Sequence, residues 1–148
     1  MFTLVDVETA LPIVRAAMPQ TPQYAWPLLC ARVGADVFVK HENHTPIGAF
    51  KLRGGIVYVK RLKCERSHIK GIVSATRGNH GQSLAFAAQR AGLPVAIVVP
   101  HGNSTEKNAA MCSFDAELIE YGQDFDEAKE HAIEIAAKRR RASRGDGA

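Results

Sequence analysis

The chain has 148 residues, enough for one ordinary domain with a real core and short of what two would need. With 46% apolar and 23% charged residues it has the composition of a soluble globular protein, and no apolar run is long enough to span a bilayer, so no membrane partner is expected. Its net charge of +4 is confined to one end: Lys138, Arg139, Arg140, Arg141 and Arg144 against Asp146 give the last eleven residues +4, leaving 14 basic and 14 acidic residues elsewhere. A neutral body with a basic end and no interleaved aromatics argues against nucleic acid as a partner.

Asp6 and Glu8 stand where a signal peptide needs basic and apolar residues, so none is expected. Cys30, Cys64 and Cys112 are widely separated, lack metal-ligand spacing and are odd in number, so neither a metal site nor a disulfide framework is expected and a reducing cytoplasm fits best. Asp36 to Glu42 has a β-favouring composition and reads as a strand leading to Lys51, through a polar loop ending at Pro46. A helix is expected to begin near Phe50, weakened by Gly54 and Gly55, whose lack of side chains lets the backbone approach a ligand.

From Gly71 the pattern is regular. Ile72 to Ala75 reads as a short strand, His80 to Ala91 as a helix closed by Gly92 and Pro94, and Val95 to Val99 as a strand covered on both faces. Asn103 or Ser104 caps a helix through Met111, Ala116 to Glu120 gives a third strand, and Asp124 caps a last helix whose Phe125, Ala128, Ala132, Ile135 and Ala136 share one face. The fold class is α/β, a small parallel sheet with flanking helices joined by right-handed crossovers. Residues 1–50 read as an N-terminal segment carrying one strand, 51–138 as a small α/β domain, and 139–148 as a disordered basic tail with almost nothing to bury.

Two motifs carry the chemistry. Gly48-Ala49-Phe50-Lys51-Leu52-Arg53-Gly54-Gly55 presents an amine able to capture an electrophile, with Phe50 beside it to pack on a flat ring. Ser74-Ala75-Thr76-Arg77-Gly78-Asn79-His80-Gly81-Gln82 joins a strand to a helix, where free backbone N–H groups and the helix dipole favour an anion. Taken alone, Lys51 could be a solvated lysine, Asn79 an ordinary cap and His80 a surface histidine.

Together the motifs resemble the fold-type II pyridoxal-phosphate enzymes, in the threonine and serine dehydratase branch, from about Leu11 to Ala137. The resemblance implies pyridoxal 5'-phosphate as cofactor, Lys51 as its Schiff-base lysine and the catalytic base, and Phe50 and Asn79 as further cofactor contacts. It also implies that Thr76, Arg77, Gly78 and His80 surround the carboxylate of a small amino-acid substrate. The activity implied is an ammonia-lyase converting L-threonine or L-serine to a 2-oxo acid and ammonia, and a homo-oligomer is expected.

Departures from the family pattern refine this. Ala49 replaces a common serine, which removes a hydroxyl and leaves the lysine untouched. Arg77 stands where racemising relatives use a serine, and a permanently protonated guanidinium is a poor base, so racemisation is disfavoured. Arg77 can instead meet a second acidic group on the substrate, or face solvent. His80 after Gly78-Asn79 separates the loop from the cysteine synthase-like version. The glycine-rich phosphate loop and the group facing the pyridine nitrogen, both implied by the resemblance, are not in this sequence, so a fragment or a frameshifted product is expected. The competing reading is a non-catalytic truncated remnant that acts, if at all, as a binding module.

Overall fold

The computed structural model describes residues 2–145. Helix α1 (Leu4–Arg15) starts at a capping box: Thr3 N–H donates to the Asp6 carboxylate at 2.7 Å while Thr3 Oγ1 accepts from Asp6 N–H at 3.3 Å. Strand β1 (Gln23–Ala25) follows, then α2 (Pro27–Val33), opened by a proline whose missing N–H costs nothing there and closed by Gly34 at φ 72°. Strand β2 (Phe38–Lys40) runs antiparallel to β1, with Tyr24 opposite Val39.

The expected strand over Asp36 to Glu42 therefore shrinks to three residues, and it pairs with β1 in its own two-stranded sheet. Neither β1 nor the two N-terminal helices were expected from the sequence.

Helix α3 (Lys51–Glu65) begins on the lysine itself. Strand β3 (Ile72–Ala75), helix α4 (Asn79–Ala91), strand β4 (Val95–Val99), helix α5 (Thr105–Cys112) and strand β5 (Glu117–Glu120) follow within a residue or so of expectation. The three strands are parallel in the order β3-β4-β5, with Ile72 opposite Val95 and Ala96 opposite Glu117. Central β4 is buried along its whole length, as its unbroken apolar run requires.

Alternate β4 side chains serve two cores. Val95, Ile97 and Val99 meet Leu84 and Ala88 of α4, Leu52 and Ile56 of α3 and Met111 of α5, whereas Val98 meets Ala128 and Ala132 on the other face. The latter two belong to α6 (Phe125–Gly145), whose start is capped by Asp124 Oδ1 accepting from the N–H groups of Asp126 at 2.9 Å and Glu127 at 3.0 Å.

Helix α6 also corrects the disordered tail expected over 139–148, because it continues to Gly145; the last three residues of that stretch lie outside the described residues. Arg139 holds both oxygens of Glu117 on β5, at 2.7 and 2.8 Å. Lys, Arg and Ala are strong helix formers, and cations suit a helix C-terminus, so the segment needs little burial to stay helical.

Candidate active site

The chain reaches Lys51 through a turn fixed by one buried side chain. Thr45 Oγ1 accepts from Ala49 N–H at 2.8 Å and donates to Ala49 O at 2.9 Å, and Gly48 makes the turn at φ 65°, a conformation that suits glycine. Ala49 is buried beneath that turn.

Arg53, one turn into α3, locks the helix start to the preceding segment. Its Nε and Nη2 donate to the two oxygens of Glu42 at 2.8 Å each, and Nη2 also reaches Thr21 Oγ1 at 3.1 Å. The Arg53 hydrogen bonds, outweighing the cost of partial burial, hold the Glu42 carboxyl well below the usual range, at about 2. Arg53 thus positions Lys51 by bracing its helix, a role that its place in the motif did not disclose.

Lys51 is exposed at the helix start, its ammonium 5.5 Å from the centroid of the Phe50 ring, and Phe50 is itself 65% exposed. No hydrogen bond or ion pair holds that ammonium among the described residues. The Lys51 backbone carbonyl, in contrast, accepts from Ser83 Oγ of α4 at 2.9 Å. Close contact between α3 and α4 depends on Gly55: a Cβ there would lie 2.0 Å from Ser83 Oγ. The expectation that both glycines admit a ligand is thereby corrected, since Gly55 admits a helix; Gly54 has open space.

The second motif leaves the carboxyl end of β3, the end at which open α/β sheets build ligand sites. Thr76 is buried, and its Oγ1 accepts from Gly78 N–H at 3.1 Å and Gly81 N–H at 3.2 Å. That oxygen shapes the loop from within. Gln82 N–H donates to Gly78 O, which leaves the N–H groups of Asn79 and His80 without a hydrogen-bond partner among the described residues. Asn79 is exposed and is the first residue of α4, not its cap, because buried Gly78 occupies that position without a side-chain bond.

His80, beside Asn79 in the first turn of α4, feels the first motif electrostatically. Although the residue is accessible, enough protein surrounds the imidazole to push its pKa below the ordinary histidine value, and the Lys51 ammonium pushes the same way. Arg77 is exposed on the loop. A residue that sequence reasoning missed lies beside it: Lys107, in the first turn of α5, crosses so close over Gly78 that a Cβ on that glycine would be 2.8 Å from Lys107 Cδ and 3.0 Å from its Nζ. No local sequence signal marks Lys107, since the contact spans two helices. Ser104 caps α5 by accepting from Lys107 N–H at 3.3 Å, as expected, and Asn103 is tied to Asn108 at 2.6 Å. Among the described residues no His, Cys, Asp and Glu cluster could hold a metal ion.

An exposed amine at the start of α3 and unpaired N–H groups at the start of α4 thus stand on two helices in direct contact. Residues 14–146 match the model of the pyridoxal-phosphate dependent enzymes, and the chain belongs to that family. It is 38% identical over 116 residues to the biosynthetic L-threonine dehydratase of Pasteurella multocida, covering 78% of this chain and 22% of that one. To the L-threonine ammonia-lyase of Thermotoga maritima it is 33% identical, over 93% of this chain and 34% of the other. Among solved structures, a pyridoxal 5'-phosphate-dependent aspartate racemase superposes with a TM-score of 0.86 at 29% identity, covering 93% of this chain and 43% of that chain. The chain thus spans well under half the length of these relatives.

Pyridoxal 5'-phosphate is the cofactor of the family, and the residues present fit it. Lys51 offers an amine that no hydrogen bond or ion pair holds, Phe50 offers a largely exposed ring beside it, and Asn79 offers an uncommitted amide.

Proposed function

We propose that the chain supplies the lysine half of a pyridoxal-phosphate-dependent ammonia-lyase that converts L-threonine or L-serine to a 2-oxo acid and ammonia. One observation carries the reading: the lysine helix and the loop helix pack directly on each other, with Ser83 Oγ of α4 donating to the Lys51 carbonyl at 2.9 Å and no side chain at Gly55 to keep them apart.

Pyridoxal phosphate, when bound, draws electrons from the substrate α-carbon and so makes the α-proton acidic. Lys51 would hold the cofactor through its Nζ, and the same Nζ is the base placed to take the α-proton. Phe50 and Asn79 would flank the cofactor ring. The free N–H groups of Asn79 and His80, with the backbone around Gly78 shaped by Thr76, receive the substrate carboxylate and so orient the α-proton toward Lys51. A depressed His80 stays neutral at physiological pH, which keeps its ring available as a hydrogen-bond partner without adding charge.

Three free cysteines accord with a cytoplasmic setting, and among the described residues no helix is long and apolar enough to cross a membrane. We read the exposed apolar residues of α2 and β2 as a surface that a second copy covers, making a homo-oligomer.

The test is to incubate the purified chain with pyridoxal phosphate, reduce with borohydride and map the labelled peptides. Label is expected on Lys51 and abolished by Lys51→Ala. Label spread evenly over surface lysines, or unchanged in the variant, would overturn the assignment.

A further inference from the structure

A second concave region lies at the opposite end of the parallel sheet from Thr76. A cavity of about 630 Å³, within the size range of small-ligand sites, opens beside the start of β3, between the turn that follows α3 and the last turns of α6. Five of its lining side chains are basic, Arg66, His68 and Lys70 from the turn and Arg139 and Arg140 from α6, and among the described residues no acidic side chain lines it. Glu117 engages Arg139 from outside the cavity. The Arg66, His68 and Lys70 side chains are exposed and make no hydrogen bond or ion pair among the described residues.

The sheet edge adds a donor. β3 is an edge strand whose Ile72 and Thr76 N–H groups donate toward β4, to Pro94 O at 2.9 Å and Val98 O at 3.0 Å, so the alternation of the ladder turns the Val73 N–H away from the sheet. Val73 lines the cavity, and that N–H has no partner among the described residues. Cations from two elements and an unpaired N–H thus converge where no carboxylate offsets them, an arrangement that favours an anion.

We propose that this cavity binds an oligophosphate, a chain of phosphoryl groups long enough to touch both the Arg66–Lys70 turn and the end of α6. One phosphate would satisfy only part of a cation set spread over two elements. No Phe, Tyr or Trp lines the cavity to stack a base, which disfavours a nucleic-acid strand. The site is independent of Lys51, which stands near the other end of the strands, and the bound anion would tie α6 to the turn after α3.

Isothermal titration in about 0.1 M salt, where diffuse attraction is screened beyond about 10 Å, tests the assignment. Inorganic tripolyphosphate is expected to bind roughly tenfold more tightly than orthophosphate, and Arg66→Ala combined with Lys70→Ala should weaken it by roughly tenfold or more. Lys60→Ala, an exposed lysine in the groove beside Ile13 and Arg90, should leave binding unchanged and controls for net charge. Equal affinity for the two anions, or affinity that survives the double variant, would overturn the proposal. Loss of binding in Lys51→Ala would also overturn it, by placing the anion at the cofactor lysine, as would tighter binding of a single-stranded oligonucleotide of equal charge. If the double variant melts early, amide shifts of the unmodified chain on adding tripolyphosphate decide instead: shifts confined to residues 66–73 and the end of α6 support the site, and shifts spread over the basic surface overturn it.

Discussion

At the scale of single residues, Glu42 and Arg53 tie the start of the Lys51 helix to the segment before it. Because the folded-state carboxyl of Glu42 lies near 2, below its ordinary value of 4.5, the stability it contributes is present above 4.5 and is lost as pH falls toward 2. Glu42→Gln should destabilise the chain by roughly 1–2 kcal/mol at neutral pH, a figure limited by solvent screening of a partly exposed pair. Urea titrations of both proteins should show that gap closing between pH 4.5 and 2. A gap that is constant across this window would assign the effect to packing. The helix starts that carry Lys51, Asn79 and His80 were legible because each stands in a local motif with its own turn signals. Glu42 and Lys107 were not, since their partners lie on other elements and nothing in the spacing announces a contact made by folding.

At the scale of elements, α3 and α4 act as a pair whose approach sets the site. Adjacent glycines separate the requirements of that approach from those of the helix. A Cβ at position 55 would fall 2.0 Å from Ser83 Oγ and 2.9 Å from Ser83 O, whereas one at position 54 meets nothing within 4 Å. Gly55→Ala is expected to cost roughly 1–3 kcal/mol through overpacking, and to reduce borohydride-fixed label on Lys51 by pushing the Ser83 hydroxyl off the Lys51 carbonyl. Gly54→Ala should instead gain about 0.5–1 kcal/mol, because alanine loses less backbone entropy in a helix. Thermal or denaturant melts of the two variants decide the matter, and equal effects would remove the argument for a glycine-dependent helix contact. The βα units from β3 onward were legible in the sequence because apolar periodicity and caps agree there. Helix α1 escaped notice since Pro12 interrupts its pattern, although Thr3 and Asp6 already spelled its cap. Strand β1 is three residues long and exposed throughout, too short to show any alternation.

At the scale of the whole molecule, apolar surface is distributed unevenly. The buried core lies between α3 and α6, and the segment before it adds Val14 and Met18 from α1 and the turn that follows, while α2 buries no residue. Leu28 of α2 is 88% exposed and Phe38 of β2 64%, as are in good part Trp26 and Tyr24, whose rings meet edge to face. Composition could not reveal this, because the same Leu, Phe and Trp count toward an apolar total whether or not anything covers them. Exposed apolar side chains in such number are unfavourable in water and drive association. The chain should therefore sediment as a dimer or larger species at micromolar concentrations, with the monomer fraction rising on dilution. Replacing Leu28 and Phe38 together by Asp should raise the monomer fraction severalfold without lowering the melting temperature, since neither side chain belongs to the core. A unmodified chain that stays monomeric across the concentration range would show that this face needs no cover, and a double variant that associates as before would move the interface elsewhere, with the free edges of β3 and β5 next to be tested.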